Sequence, residues 1–407
     1  MHIPDRETHP LSAPRPALMA VGLLVLLAGL HPVAASGQSF QAVGSVIRQG
    51  ISQGLYPGAV VIVGRRDTVL YSRGFGHFDW RAGSARPSPE KTLWDLASLT
   101  KVVATTSSVM VLVENGQIDL EAPVSRYLPR FCADPADPRR QTVTVRMLLD
   151  HTSGLPAWRP FVHLARTRDS ALALLYSTPL VHSPGDTAVY SDLNAMLLGE
   201  MVEAVSGDPL DRFAERMVFG PMGMRQTLFR PPHSMWREVA PSATYRGRPV
   251  AGVPNDGNAV RLGGVAGHAG LFSTGDDLAR YARSWLGLGR LGSGAAIVQP
   301  ATIERFLSRT PTSGSRLLGW DTPDSLRTEP SVFGTHLSSA AYGHTGWTGT
   351  EIWIDPAQDL FLIFLTNRSY KPRGRHSIGR LRELRARLSD AVATTAAGRL
   401  RIPNQGR

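Results

Sequence analysis

The chain has 407 residues, 42% hydrophobic and 19% charged, with a formal net charge of +11 and a single cysteine, Cys132. This composition belongs to a globular chain long enough for more than one core, and it excludes a disordered polymer. One cysteine excludes an intramolecular disulfide and any multi-cysteine metal site, so Cys132 reads as a small buried hydrophobe.

The N-terminus predicts a targeting segment. "ALMAVGLLVLLAGL" runs from Ala17 to Leu30 without a charge, after Arg6 and Arg15. It is short for a membrane-spanning helix and right for a signal peptide, and Val33-Ala34-Ala35 suits cleavage after Ala35. Residues 1–35 are therefore read as a signal peptide that sends the protein to the periplasm or outside the cell. An uncleaved leader serving as a membrane anchor is the alternative. No cysteine lies near the cleavage site, which excludes a lipoprotein.

"FQAVGSVIRQGISQGL" carries apolar residues at helical spacing. Two β-branched runs follow, Ala59–Val63 and Thr68–Arg73, around a polar turn, and predict a hairpin. Leu96–Asn115 is apolar at helical period and ends at a glycine. From Ala122 to about Leu288 the chain reads as mostly helical segments broken by Pro and Gly. Thr312–Ser338 is rich in Ser, Thr, Gly and Pro and reads as surface. "GTEIWIDPAQDLFLIFLTNR" predicts a second hairpin, and a basic helix from about Ser377 to Ala397 closes the chain.

Strands at both ends and helices between them predict an α+β fold. The terminal strands join into one antiparallel sheet flanked by helices, and the middle forms a mostly helical lobe. On this reading residues 36–407 make one domain. Its α/β lobe spans about 40–105 and 340–400, and its helical lobe about 106–339. A cleft between the lobes is the default place for a site.

The basic charge comes almost wholly from arginine, since the only lysines are Lys91, Lys101 and Lys371. The arginines are scattered, with no aromatic-and-basic cluster, so no nucleic-acid partner is expected. The histidines show no H-E-x-x-H and no close ligand spacing, so no metal is expected.

Several motifs match in the wrong context. "GISQG" at Gly50–Gly54 fits the nucleophile elbow, but a helix precedes Ser52 and a strand follows it, the reverse of what the elbow needs. "GLGRLG" at Gly287–Gly292 fits a dinucleotide fingerprint but follows a helix-like stretch and reads as a loop. S-x-x-K occurs twice. Ser88-Pro-Glu-Lys91 lies in a polar, proline-containing stretch and reads as a loop. Ser98-Leu-Thr-Lys101 opens an apolar helix, where residues three apart share a face. A serine needs an adjacent base to attack. Lysine can be that base if burial or another cation lowers its pKa from about 10.4, whereas arginine stays protonated.

"TLWDLASLTKVVAT" and "MVLVENGQIDLEAPVSRYLPRF", with "VRMLLDHTSGLP" (145–156), "YSDLN" (190–194), "LGGVAGHAGLFST" (262–274) and "YGHTGWTGTEIWIDP" (342–356), carry a family resemblance. Over roughly residues 45–370 and in the expected order, they resemble the serine β-lactamase-like family. That family holds class C β-lactamases, D-alanyl-D-alanine carboxypeptidases, D-aminopeptidases and esterases. The resemblance implies that Ser98 is the acylated nucleophile and that Lys101 helps take its proton. Tyr190 is implied as second base and later acid, with Lys101 and His344 beside it as the cations such a tyrosine needs. The N–H groups of Ser98 and Trp347 are implied as the oxyanion hole. His344-Thr345-Gly346 matches the family's Lys/His-Thr-Gly and opens the edge strand that holds substrate. Asp192, Thr345, Gly346 and Trp347 are implied as substrate contacts, with no cofactor and no metal.

Two departures bear on substrate. The third element reads Tyr190-Ser191-Asp192, where the family has Tyr-x-Asn, so Asp192 brings a negative charge near Lys101 or points away. His-Thr-Gly lacks the permanent cation that recognises a β-lactam carboxylate. The resemblance thus implies an exported serine hydrolase working through an acyl-enzyme, foremost a D,D-peptidase on peptidoglycan peptides. Alternatives are a small-ester hydrolase, a weak class C-type β-lactamase, or a non-catalytic penicillin-binding sensor. His151 and His268 are read as structural, with Asp150-His151 bracing the floor of the site. The oligomeric state stays open.

Overall fold

The computed structural model describes residues 40–132, 137–245, 248–289, 296–323, 331–373 and 377–400. The proposed leader lies outside them, as does part of the Gly287–Gly292 motif.

Five strands form the main sheet: β1 (Gly58–Gly64), β2 (Val69–Gly76), β8 (Tyr342–Thr345), β9 (Glu351–Asp355) and β10 (Leu360–Thr366). All pairings are antiparallel, in the order β2-β1-β10-β9-β8. β1 sits directly against β10, with Val61 opposite Phe364 and Ile62 opposite Ile363. The two predicted hairpins therefore join as one sheet.

β1 and β10 are buried at every position and almost wholly apolar because both faces are covered. Successive side chains point to opposite faces. Val61, Val63, Leu362 and Phe364 pack with Val43 and Ile47 of α1 (Gln41–Ser52) and with Leu381, Leu384 and Leu388 of the C-terminal helix. Val60, Ile62, Phe361, Ile363 and Leu365 face the larger core, with Leu278 and Trp285. Each buried Leu, Ile or Phe side chain contributes roughly 1.5–3 kcal/mol by leaving water.

The predicted helix over Leu96–Asn115 is three joined pieces. A 3₁₀ turn (Ala97–Leu99) leads into a π-helical turn (Lys101–Thr106), then α2 (Ser107–Glu114). Such wide turns are rare and often sit at functional positions. The segment Ala97–Glu114 is apolar and long enough to cross a membrane, yet 83% of it is buried inside the protein, as befits a core helix.

The middle of the chain adds α3 (Val145–Leu149), α4 (Phe161–Leu164), α5 (Arg168–Ser177), α6 (Asp192–Ser206), α7 (Leu210–Ala214), α8 (Gly257–Arg261), α9 (Gly275–Leu286) and α10 (Pro300–Phe306). The terminal helix is α11 (Ser377–Leu400). The sequence did not foretell the short strands here. β3 (Trp94–Asp95), β7 (Leu271–Ser273) and β4 (Leu228–Phe229) form a small sheet, and β5 (Ala243–Tyr245) pairs with β6 (Arg248–Val250). Two or three residues are too few for a period to show.

Two expectations need correction. Thr312–Ser338 is not simply surface: Ser313, Leu317, Leu318, Trp320 and Phe333 are buried. Trp320 packs edge-on against Trp285 and Tyr342, at centroid separations of 4.9 and 5.2 Å. One apolar cluster anchors an otherwise polar stretch and carries Arg316 and Asp321 into the central cavity. Cys132 is half-buried against the core rather than inside it.

Candidate active site

β3 brings the chain to the turn that carries Ser98. Ala97 adopts φ +47°, the left-handed region that costs a non-glycine residue energy. The Asp95 carboxylate holds it there, accepting the Ala97 N–H at 3.0 Å. Its second oxygen accepts the Asn255 N–H at 2.7 Å and the Ser242 hydroxyl at 3.1 Å. Burial still outweighs these donors and pushes the Asp95 carboxyl up to about 6. The next residue is Ser98, which opens onto the cavity.

Lys101 is one turn on and almost wholly buried. Its Nζ donates to Ser98 Oγ at 3.0 Å and to the His268 carbonyl at 3.2 Å, and pairs with Asp192 Oδ1 at 2.7 Å. Burial pulls the amine's pKa down, but Asp192 and Tyr190 more than compensate, so it stands above its ordinary value. The condition under which a lysine could act as a neutral base, a lowered pKa, is thus not met in this resting arrangement. Lys101 is an ammonium, and Asp192 is the reason: it faces Lys101 rather than pointing away.

Tyr190 precedes α6, whose entry is tied down on three sides. Ser191 donates its N–H to His151 Nδ1 at 3.2 Å and its hydroxyl to the Pro156 carbonyl at 2.7 Å. Asp192 N–H bonds the Ala157 carbonyl at 2.9 Å. The Tyr190 ring lies 4.8 Å from the His151 ring and 5.8 Å from that of His344. Two cations face it at 5.0 Å, Lys101 Nζ and the Arg316 guanidinium.

His344 does not supply a positive charge, contrary to expectation. Burial, then Lys101 and Arg316, hold its pKa well below the ordinary imidazole value. A carbonyl can only accept, so Nδ1–H donates to the Thr345 carbonyl at 2.9 Å, which leaves Nε2 as an acceptor. The cation beside Tyr190 that the sequence did not reveal is Arg316.

β8 ends at Thr345, so Trp347 lies beyond the edge strand, in a tight turn, and is 59% exposed. Two threonines staple this turn to the segment that leads into Ser98. Thr348 Oγ1 donates to the Asp95 carbonyl at 2.7 Å and Thr350 Oγ1 to the Leu96 carbonyl at 2.9 Å. Gly346 is required: a Cβ there would sit 2.1 Å from Thr350 Oγ1 and 2.5 Å from the Leu96 oxygen.

Ser98, Tyr190, Asp192, His344, Thr345, Gly346 and Trp347 all line one cavity of about 820 Å³, with Lys101 beneath Ser98. The structure thus gathers the residues that the family resemblance implied for the site. It adds Trp158, Asp256, Arg316 and Arg385 to the walls. Ser52 and Ser88 stay outside. His151, at φ +64°, accepts from Ser191 and contacts Asn194, while Asp150 holds Thr152 and Thr310, so this pair braces the floor. His268 does more than pack, since its carbonyl takes Lys101 and its ring bonds Asp256 at 2.9 Å. Asp192, Asp256 and His268 bring potential ligand atoms within 4.8 Å of one another. Lys101 already lies against Asp192 there and supplies the positive charge that such a cluster attracts.

The family profile described as Beta-lactamase matches residues 43–387. The chain belongs to the β-lactamase family. It is similar to a Bacillus subtilis protein named "N-acetylmuramyl-L-alanine amidase", 34% identical over 367 residues, covering 83% of this chain and 82% of that one. It is also similar to an Escherichia coli K12 protein named "Putative D-alanyl-D-alanine carboxypeptidase", 31% identical, covering 78% and 80%. Among solved structures it shares its fold with EstCE1, a hydrolase with promiscuous acyltransferase activity. That match has a TM-score of 0.70 and 24% identity, over 88% of this chain and 99% of that one. A penicillin-binding protein homologue from Caulobacter crescentus matches with a TM-score of 0.68 and 21% identity, over 88% and 97%. The protein is a serine hydrolase of this family.

Proposed function

We propose that the protein acts outside the cytoplasm on peptidoglycan peptides, as a D,D-peptidase working through an acyl-enzyme on Ser98. The observation that carries this reading is the 3.0 Å contact between Ser98 Oγ and the buried Lys101 amine, at the wall of a cavity that also holds Tyr190 and Trp347. The apolar leader in the sequence supports export, and the names of both relatives are those of amide hydrolases.

In this mechanism Ser98 Oγ attacks the carbonyl carbon. The N–H groups of Ser98 and Trp347 receive the charge that develops on the carbonyl oxygen, where each such donor is worth about 3–4 kcal/mol. The serine proton passes to the Tyr190 oxygen, and the proton Tyr190 carried passes to the leaving nitrogen as the C–N bond breaks. Water then attacks the acyl ester, its proton returns through Tyr190 to Ser98 Oγ, and the acid leaves. Lys101 holds the serine in place and keeps positive charge beside Tyr190 throughout.

A second reading, an amidase on muramyl peptides, is favoured by the cavity's aromatic walls. Trp158 and Trp347 are 50% and 59% exposed and both line it, which offers flat apolar faces to a sugar ring. Turnover of a D-Ala-D-Ala peptide, a muramyl-L-alanine peptide, nitrocefin and a p-nitrophenyl ester ranks the readings, including an esterase. Mass spectrometry after fluorescent penicillin and fluorophosphonate treatment locates the adduct. A label on any residue other than Ser98, or no label, sinks the proposal.

A further inference from the structure

The turn that carries Trp347 is held from behind by arginine. Arg385 of α11 is 2% exposed, and its Nη2 donates to the Gly346 carbonyl at 3.2 Å and to the Thr350 carbonyl at 2.7 Å. The Gly346 carbonyl and the Trp347 N–H are the two ends of a single amide. A cation bonded to the oxygen of an amide draws electrons from its nitrogen and sharpens its N–H as a donor. Hydrogen bonds linked in this way strengthen one another by roughly 10–30%.

We infer that Arg385 is a positioning residue that fixes and polarises the Gly346–Trp347 amide, so that its N–H meets the developing oxyanion. The inference rests on the oxyanion role given to Trp347 above. A purely structural role explains the arrangement less well. Arg385 is deeply buried, its counter-charge Glu351 stands 3.7 Å away, and Arg385 Nε and Glu351 Oε2 have no hydrogen-bond partner among the described residues. Apolar residues of similar volume often stabilise a core as well or better than such a pair. Burial lowers the guanidinium's pKa to about 10, which still leaves it charged at neutral pH. On its other side, Trp347 gives its carbonyl to Arg368 Nη1 at 2.8 Å, and the Arg368 guanidinium lies 4.7 Å over the indole. That second arginine holds the following amide, not the donating one.

The test compares a p-nitrophenyl ester with its thiono counterpart, in which sulfur, a poor acceptor, replaces the carbonyl oxygen. In the wild type, an oxo-to-thiono rate ratio far above that of uncatalysed hydrolysis is expected. A ratio no larger than the uncatalysed one overturns the oxyanion-hole reading itself. In the double variant Glu351→Leu/Arg385→Met, which leaves no lone buried charge, the expected kcat for the oxo ester falls about 10- to 100-fold. KM stays within about twofold and the ratio drops about tenfold. Arg385→Lys, which keeps the charge but changes the length and shape of the donor, should fall between, and it carries the test if the double variant does not fold. A folded variant that keeps the wild-type ratio, or that loses both esters equally, overturns the inference.

Discussion

The chain carries the same four-residue pattern twice, ten residues apart, with opposite outcomes. Ser88 lies in a loop, donates its hydroxyl to the Glu90 carboxylate, and Lys91 is exposed to solvent. Ser98 lies on a helical turn, and Lys101 is enclosed by Asp192, the His268 carbonyl and Tyr190. Spacing alone does not distinguish the two serines. What separates them is the burial of Lys101 and the groups nearly a hundred and more residues distant that close around it.

The sharpest way to break this contrast is Ser98→Ala. Its kcat/KM should fall about 10⁴-fold or more, with no acyl adduct in the mass spectrum. Tyr190→Phe keeps the ring between His151 and His344 but removes the proton carrier. It should cost about 10²–10⁴ in kcat with an unchanged melting temperature.

Asp192→Asn tests the enclosure itself. It leaves a buried ammonium short of its counter-charge, which should cost roughly 3 kcal/mol in denaturant unfolding. Lys101 has a folded pKa above its unfolded value, so the pair's stability is fully present below about pH 10. It is lost as pH rises further through the folded pKa, and the variant should lack this alkaline decline.

Asp95 has the same sign but acts in the acid-to-neutral range. Its folded pKa, raised to about 6 by burial, means that the native state holds this proton more tightly than the unfolded chain. Its contribution is fully present below about pH 4 and is lost as pH rises through about 6. The difference in melting temperature between Asp95→Asn and wild type should therefore move in the variant's favour from pH 4 to pH 7. The smallest effect belongs to Ser88→Ala, whose activity should stay within about twofold of wild type. A larger loss would erase the contrast between the two motifs.

The terminal strands were legible because uninterrupted apolar runs such as Leu360–Leu365 have few explanations in a chain of this composition. Ser98, Lys101 and Tyr190 were legible through motif order. The charge states were not, because a pKa depends on burial and on neighbours distant in sequence. His344 is neutral and Lys101 charged for that reason. Arg316 was hidden among many scattered arginines, in a stretch whose polar composition masked Trp320 as an anchor. Arg385 did leave a trace. In "LRELRARL", positions 381, 385 and 388 share one helical face, and Leu381 and Leu388 are core residues. A basic residue at 385 therefore had to enter the core.

The pairing of β1 with β10 also sets a schedule for the molecule's birth. Residues about 300 apart must meet before the sheet closes. A ribosome adding about 5–20 residues each second leaves β1 without that neighbour for roughly 15–60 seconds. Until β10 arrives, an apolar strand edge is open to other chains, and the turn bearing Trp347 has not been made. A nascent chain cannot acquire hydrolytic capacity early: the last strands both seal the adhesive edge and complete the site. Contacts this remote also predict slow refolding, with aggregation as its main competitor.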